Sequence, residues 1–180
     1  VASSPSIRGM GTIGQTFGEW SDSVSHTTTW VPSESREKQI EDLREAIQSG
    51  DESGVHVEGV SGLGKTRMVM EAFRDQPNEA LIVYVPSEDQ FPPAVLNHLQ
   101  TQGRSAVVVI DECDAKRHDV FAGMLQTGTR IRLVTISEPS QRAPRAATLL
   151  VRAFDDEPLT KLLQENMPTL WPEATRVMSP

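Results

Sequence analysis

Between residues 56 and 73 the chain reads "HVEGVSGLGKTRMVMEAF". Gly59, Val60, Ser61, Gly62, Leu63, Gly64, Lys65 and Thr66 satisfy the spacing G-x-x-x-x-G-K-[ST], with Gly62 as an extra glycine. Glycines so placed let the backbone curl until successive N–H groups point at one anion, beside the positive end of a helix. A lysine after the last glycine reaches the outer phosphates of a nucleotide as a point charge, and the threonine hydroxyl is a ligand for Mg²⁺. The flanks suit this chemistry: "VHVEG" reads as a buried strand. "KTRMVMEAFRD" reads as a helix, with Met68, Val69, Ala72 and Phe73 at helical spacing. Arg67, directly after the threonine, either touches phosphate or faces solvent.

A second stretch supplies acids. "SAVVVIDECD", residues 105 to 114, is an apolar strand ending in Asp111 and Glu112. Ligands of a parallel sheet collect at the C-terminal ends of its strands. Asp111 is therefore expected near Thr66, holding Mg²⁺, usually through water, and Glu112 is placed to orient an attacking water. Such a pair is what a hydrolase needs and a mere nucleotide holder does not, so hydrolysis is expected, slow in isolation. The strand "IRLVTIS", 131 to 137, ends in Thr135 and Ser137. A polar residue at that tip either reads the terminal phosphate or is simply a strand leaving the sheet. In the loop that follows, Arg142 and Arg145 are candidates for a finger donated to a neighbouring subunit's nucleotide; the alternative is two solvated arginines.

The positioning elements follow from periodicity. From Ser35, "SREKQIEDLREAIQSG" places Ile40, Leu43 and Ile47 on one helix face, with Ser35 to start it and Gly50 to end it. Strands at 55 to 60, 80 to 85, 106 to 110, 131 to 137 and 148 to 151 then alternate with helices at 65 to 74, 92 to 101 and 116 to 125. Two more helices are expected at 156 to 166 and 172 to 178. Alternation of this kind implies βαβ units and a parallel sheet covered on both sides, a three-layer α/β fold. Residues 1 to 29, rich in Ser, Thr and Gly, show no sustained period and read as a linker or arm. Within them Gly9, Gly11 and Gly14 match a dinucleotide pattern, but neither a buried strand nor an amphipathic helix flanks it.

Composition narrows the partners. A formal charge of −8 opposes passive binding to DNA or RNA, since neutralising phosphates needs clustered Lys and Arg. The lone Cys113 excludes an internal disulfide framework and fits a reducing, cytoplasmic compartment. No apolar run approaches the ~20 residues of a membrane helix. The histidines at 26, 56, 98 and 118 show no metal spacing with Cys113. The chain opens on Val1 and closes on "RVMSP" after a helix-like segment, which reads as an excerpt of a longer protein, with self-association or partner domains outside it.

Together "VHVEGVSGLGKTRMVMEAF", "VVVIDECD" and "RLVTISE" resemble the ATPase core of the STAND class, signalling relatives of the AAA+ ATPases. One strand and its helix lie between the phosphate loop and the acids, as in P-loop ATPases with an inserted strand, which implies the strand order 5-1-4-3-2. Upstream, "WVPSESREKQIEDLREAI" resembles that class's adenine-side motif: Arg36 and Glu37 match, while Ser35 stands where Gly is usual. The resemblance implies that Trp30 and Val31 border the adenine, that Arg36 belongs to the nucleotide site, and that residues 30 to 153 form the core. Residues 154 to 180 would begin a helical lid, although its usual Gly-x-Pro segment is absent. ATP or ADP with Mg²⁺ is the expected ligand, because the guanine signals are missing: there is no Asn-Lys-x-Asp, and no Asp-x-x-Gly follows the acidic strand. The implied role is a nucleotide-dependent assembly switch, in settings such as bacterial defence. The alternatives are a nucleic-acid-dependent AAA+ or RecA-type motor, a gated scaffold with little turnover, and a small-molecule kinase.

Overall fold

The computed structural model describes residues 14–27, 30, 32–49, 54–140 and 147–151. In chain order the elements are β1 (Gln15–Thr16), α1 (Phe17–Thr27), α2 (Glu34–Gln48), β2 (Val55–Glu58), α3 (Lys65–Phe73), β3 (Ile82–Val85), α4 (Ala94–Thr101), β4 (Ala106–Ile110), α5 (Ala115–Gly123), β5 (Ile131–Ser137) and β6 (Ala147–Leu150). Residues 80 and 81, expected to open the strand 80 to 85, belong instead to a short 3₁₀ turn, Glu79–Leu81.

Strands β2, β3 and β4 are buried at every position. Strands buried on both faces need cover on both, which is why they pair in parallel with helices as crossovers; β3 and β4 are apolar throughout apart from the Tyr84 hydroxyl, while β2 carries His56 and Glu58 on one face. The sheet runs β1-β3-β4-β5-β2-β6. All pairings are parallel except that of β1, which lies antiparallel on the edge of β3, with Gln15 opposite Tyr84. Numbered by themselves, the parallel strands stand in the expected order 5-1-4-3-2; the addition is β1.

Helices cover both faces. On one, Trp20 of α1, Leu43 of α2 and Met68 and Phe73 of α3 pack over Val57, Val109 and Ile136. On the other, Leu96 and Leu99 of α4 and Phe121 of α5 pack over Val108, Ile110 and Leu133. Helix α2 starts one turn-residue earlier than its pattern suggested. Ser33, in an extended conformation, accepts the Arg36 N–H at 3.2 Å, so Ser33 and not Ser35 is the cap.

The reading of residues 1 to 29 as an irregular arm is corrected over β1 and α1. Thr16 and Glu19 form a reciprocal capping box: the Thr16 N–H donates to Glu19 Oε2 at 2.8 Å and the Glu19 N–H donates to Thr16 Oγ1 at 3.4 Å. Phe17, Trp20 and Val24 then share one helix face, three apolar residues too sparse to stand out among serines. Trp20 is fully buried, stacked on Tyr84 with ring centroids 4.4 Å apart. Gly14 lets the chain approach this closely, because a Cβ there would lie 2.7 Å from the Tyr84 carbonyl oxygen. That role, rather than dinucleotide binding, accounts for the one glycine of the dinucleotide pattern that falls among the described residues. Replacing Trp20 by alanine is therefore expected to cost about 3–5 kcal/mol of stability, read from the denaturant midpoint; a loose arm would show no change. The two C-terminal helices expected from the sequence, and the lid with them, lie outside the described residues.

Candidate functional site

Residues 59 to 64 link β2 to α3 at the C-terminal edge of the sheet. Gly62 and Gly64 hold left-handed conformations, φ 83° and 74°, that an L side chain would strain. The loop is fastened at several points. Gly59 N–H donates to the Ser137 carbonyl at 3.3 Å, and Lys65 Nζ reaches back to the Val60 carbonyl at 3.1 Å. Gly64 serves as the N-cap of α3 and no side chain caps the helix, which leaves the first-turn N–H groups available to an anion.

Arg36, expected at the adenine side, sits almost wholly buried under this loop. Its Nη2 donates to the Leu63 carbonyl at 2.7 Å, and Nη1 to Gln39 Oε1 at 3.4 Å. Helix α2 thereby braces the phosphate loop from behind. Trp30 lines a different hollow of about 410 Å³ between α2 and the end of α3, with Ile40, Arg44 and Glu71. It is not among the residues of the phosphate cleft. Val31, Arg142 and Arg145 lie outside the described residues.

The acids arrive where the sheet topology demands. Thr66 Oγ1 donates to Asp111 Oδ2 at 2.6 Å, although the two are 45 positions apart in the chain. Two hard oxygens converging beside the phosphate loop fit a divalent cation such as Mg²⁺. Asp111 is held further by Tyr84 Oη, which donates to Oδ2 at 3.1 Å, and by the Glu112 N–H, which donates to Oδ1 at 2.9 Å. Burial first, then the neighbouring Asp111, pushes the Tyr84 phenol far up, so it stays a donor. Tyr84 was missed in the sequence because its strand looked merely apolar.

Glu112 is exposed and takes a left-handed conformation, φ 47°. On either side the chain is pinned, Asp111 N–H to the Val85 carbonyl at 2.8 Å and Cys113 N–H to the Ile136 carbonyl at 2.9 Å. The residue between must therefore turn outwards. An open cleft of about 950 Å³ results, walled by Gly62, Gly64, Lys65, Thr66, Arg67, Asp111, Glu112 and Ser137. Arg67 lies in its wall but is engaged by Glu71, with Nη2 2.7 Å from Oε1. Helix α1 contributes Val24 to the rim.

Of the two polar residues ending β5, only Ser137 faces the cleft. Thr135 is fully buried, with Oγ1 2.6 Å from Nδ1 of both His56 and His118. Burial pulls the His56 imidazole from its ordinary 6.5 down to about 4, against the opposing influence of Asp114 and Asp119. The unfolded chain thus takes a proton that the folded chain refuses. Stability should be flat above the ordinary histidine value and fall below it by about 1.4 kcal/mol per pH unit, reaching a loss of about 3 kcal/mol near pH 4. Denaturant midpoints measured across that interval check the slope, which His56→Gln should remove.

No protein-family model and no curated protein matches the sequence. Solved structures do resemble the fold. Cdc6p from Pyrobaculum aerophilum superposes with a TM-score of 0.58 at 15% identity, covering 82% of this chain and 53% of that one. A STAND (Signal Transduction ATPase with Numerous Domains) protein with a tetratricopeptide repeat sensor, from Pyrococcus horikoshii, superposes with a TM-score of 0.51 at 14% identity. That match covers 91% of this chain and 28% of the other. The chain thus spans about half of the first protein and under a third of the second. Its fold is that of the P-loop ATPases. More narrowly, the fold is shared with Cdc6p and with a STAND ATPase.

Proposed function

We propose that this chain binds and hydrolyses ATP, as the nucleotide-dependent assembly switch of a larger protein. The observation that carries the reading is the meeting of Thr66 and Asp111 at the mouth of a glycine loop backed by Lys65. Lys65 would exchange the Val60 carbonyl for the outer phosphates, and the N–H groups of Gly62 to Thr66 would cradle the inner ones. Thr66 and Asp111 would hold Mg²⁺, which supplies charge neutralisation at the phosphates. Glu112, exposed in the same cleft, would orient the attacking water and take its proton. Ser137 would hold the terminal phosphate or that water from the tip of β5.

The reading of the cleft as a switch is supported by two elements outside the core sheet that touch it. Arg36 ties α2 to the phosphate loop, and the α1 helix reaches the cleft rim through Val24 and through Ser25, whose Oγ lies 3.5 Å from Arg67 Nη1. Nucleotide-driven changes in the loop would be felt by both.

ATP turnover measured against protein concentration, with and without DNA or RNA, tests the proposal. Turnover that rises with concentration and ignores nucleic acid is the expected result. Stimulation by nucleic acid would favour a motor, and tight ATP binding without turnover a gated scaffold.

A further inference from the structure

Beneath α5 the sheet carries a polar chain where its neighbours are apolar. Val108, Ile110 and Leu133 on the same face are core residues, yet the next positions are Thr135 and Ser137 on β5 with His56 and Glu58 opposite them on β2. His118 comes down on them from α5. His56, Thr135 and His118 are fully buried, and Glu58 and Ser137 are 9% exposed. A buried polar network is costly unless its members satisfy one another, so its hydrogen-bond directions can be worked out.

Ser137 Oγ donates its one proton to the Glu138 carbonyl at 2.7 Å. It must then be the acceptor in its 3.1 Å contact with His56 Nε2. That places the proton of His56 on Nε2; Glu58 Oε1 stands 3.3 Å from the same nitrogen but makes no hydrogen bond with it, and its carboxylate favours a proton on that side of the ring. With Nε2 protonated in the neutral ring, Nδ1 is an acceptor and receives the Thr135 hydroxyl. Thr135 Oγ1, having given its proton, accepts from His118 Nδ1–H. The chain therefore runs one way, from α5 through Thr135 and His56 to Ser137.

We infer that His56 is a positioning residue for Ser137: it holds the serine oxygen from behind by an Nε2–H bond, in a relay anchored on α5 through Thr135 and His118. In this arrangement the serine proton can turn without moving the serine oxygen. At rest it points to the Glu138 carbonyl; with a nucleoside triphosphate in the cleft it turns to a terminal phosphate oxygen while the serine oxygen stays fixed. The inference rests on the reading of the cleft as an ATP site and on Ser137 as the residue that meets the terminal phosphate.

Thr135→Val is the informative variant, since it removes the hydroxyl at nearly constant volume from a residue that does not reach the cleft. In the full chain it should lower kcat about tenfold and leave the KM for ATP within about twofold, the worth of one well-made hydrogen bond. Ser137→Ala should show the same loss, and the double variant no further loss. His56→Gln, whose amide N–H can still donate to Ser137, should keep more activity than His56→Leu. Wild-type kcat in Thr135→Val, or an added tenfold loss in the double variant, would overturn the relay. Nitrogen-15 spectra of the imidazoles separate this failure from a failure of the ATP reading, because they need no turnover. A proton on Nε2 of His56 in the wild type supports the relay, and a proton on Nδ1 overturns it even if ATP is neither bound nor cleaved.

Discussion

Lys65→Ala should weaken ATP binding by about 10²- to 10³-fold, the worth of two charge-assisted hydrogen bonds to phosphate. The fold should survive the change. Lys65 is only partly buried and its ammonium holds one loop carbonyl, so removing it leaves no uncompensated charge in the core. The remaining loop N–H groups and the positive end of α3 supply residual affinity, which is why the loss is finite. Isothermal titration with ATP and Mg²⁺ measures it directly. Unchanged affinity would remove Lys65 from the site and with it the reading of residues 59 to 66 as a phosphate cradle. Arginine at the same place should not restore binding, because its planar fork does not fit a cradle shaped for a point charge.

The second large effect is expected at Glu112. Glu112→Gln keeps size, backbone and hydrogen-bond reach while removing the ability to take a proton, so turnover should drop by about 10²- to 10⁴-fold. Affinity for ATP should be nearly unaltered, because the Glu112 contact with Asp111 is made by its backbone N–H and not by its side chain. The left-handed turn at this residue is imposed by the hydrogen bonds of Asp111 to β3 and of Cys113 to β5, which a glutamine leaves intact. Phosphate release under single-turnover conditions, alongside nucleotide binding, gives both quantities. If the variant hydrolyses ATP at the wild-type rate, proton transfer belongs to another group in the cleft.

Much of this was legible before the structure. The phosphate loop is contiguous, so its chemistry is written in eight neighbouring residues. Parallel strands buried on both faces show as apolar runs, clearest at β4, and connection rules then leave few sheet orders. Asp111 could be matched to Thr66 because strand ends in such a sheet share one edge. From residue 34 to 151 the element types were therefore sound among the described residues, even where ends shifted by a residue or two, as at β3. The arm was misread, since α1 shows three apolar residues among serines and its capping box went unnoticed; Ser35 was mistaken for the cap that Ser33 supplies, and Trp30 lies in another hollow than the phosphate cleft.

What the sequence by itself determined is thus the local chemistry and the layering: a glycine cradle, an acidic strand end, and strands that must be sandwiched by helices. The tertiary structure alone decided who meets whom across the sheet. Arg36 reaches Leu63 across 27 positions and Tyr84 reaches Asp111 across 27 more; His56 and His118 meet on Thr135 from 79 and 17 positions away. Periodicity records only whether a residue faces inwards. Which inward-facing residue it touches depends on strand register and on how each helix docks, and no pattern within a single segment carries that.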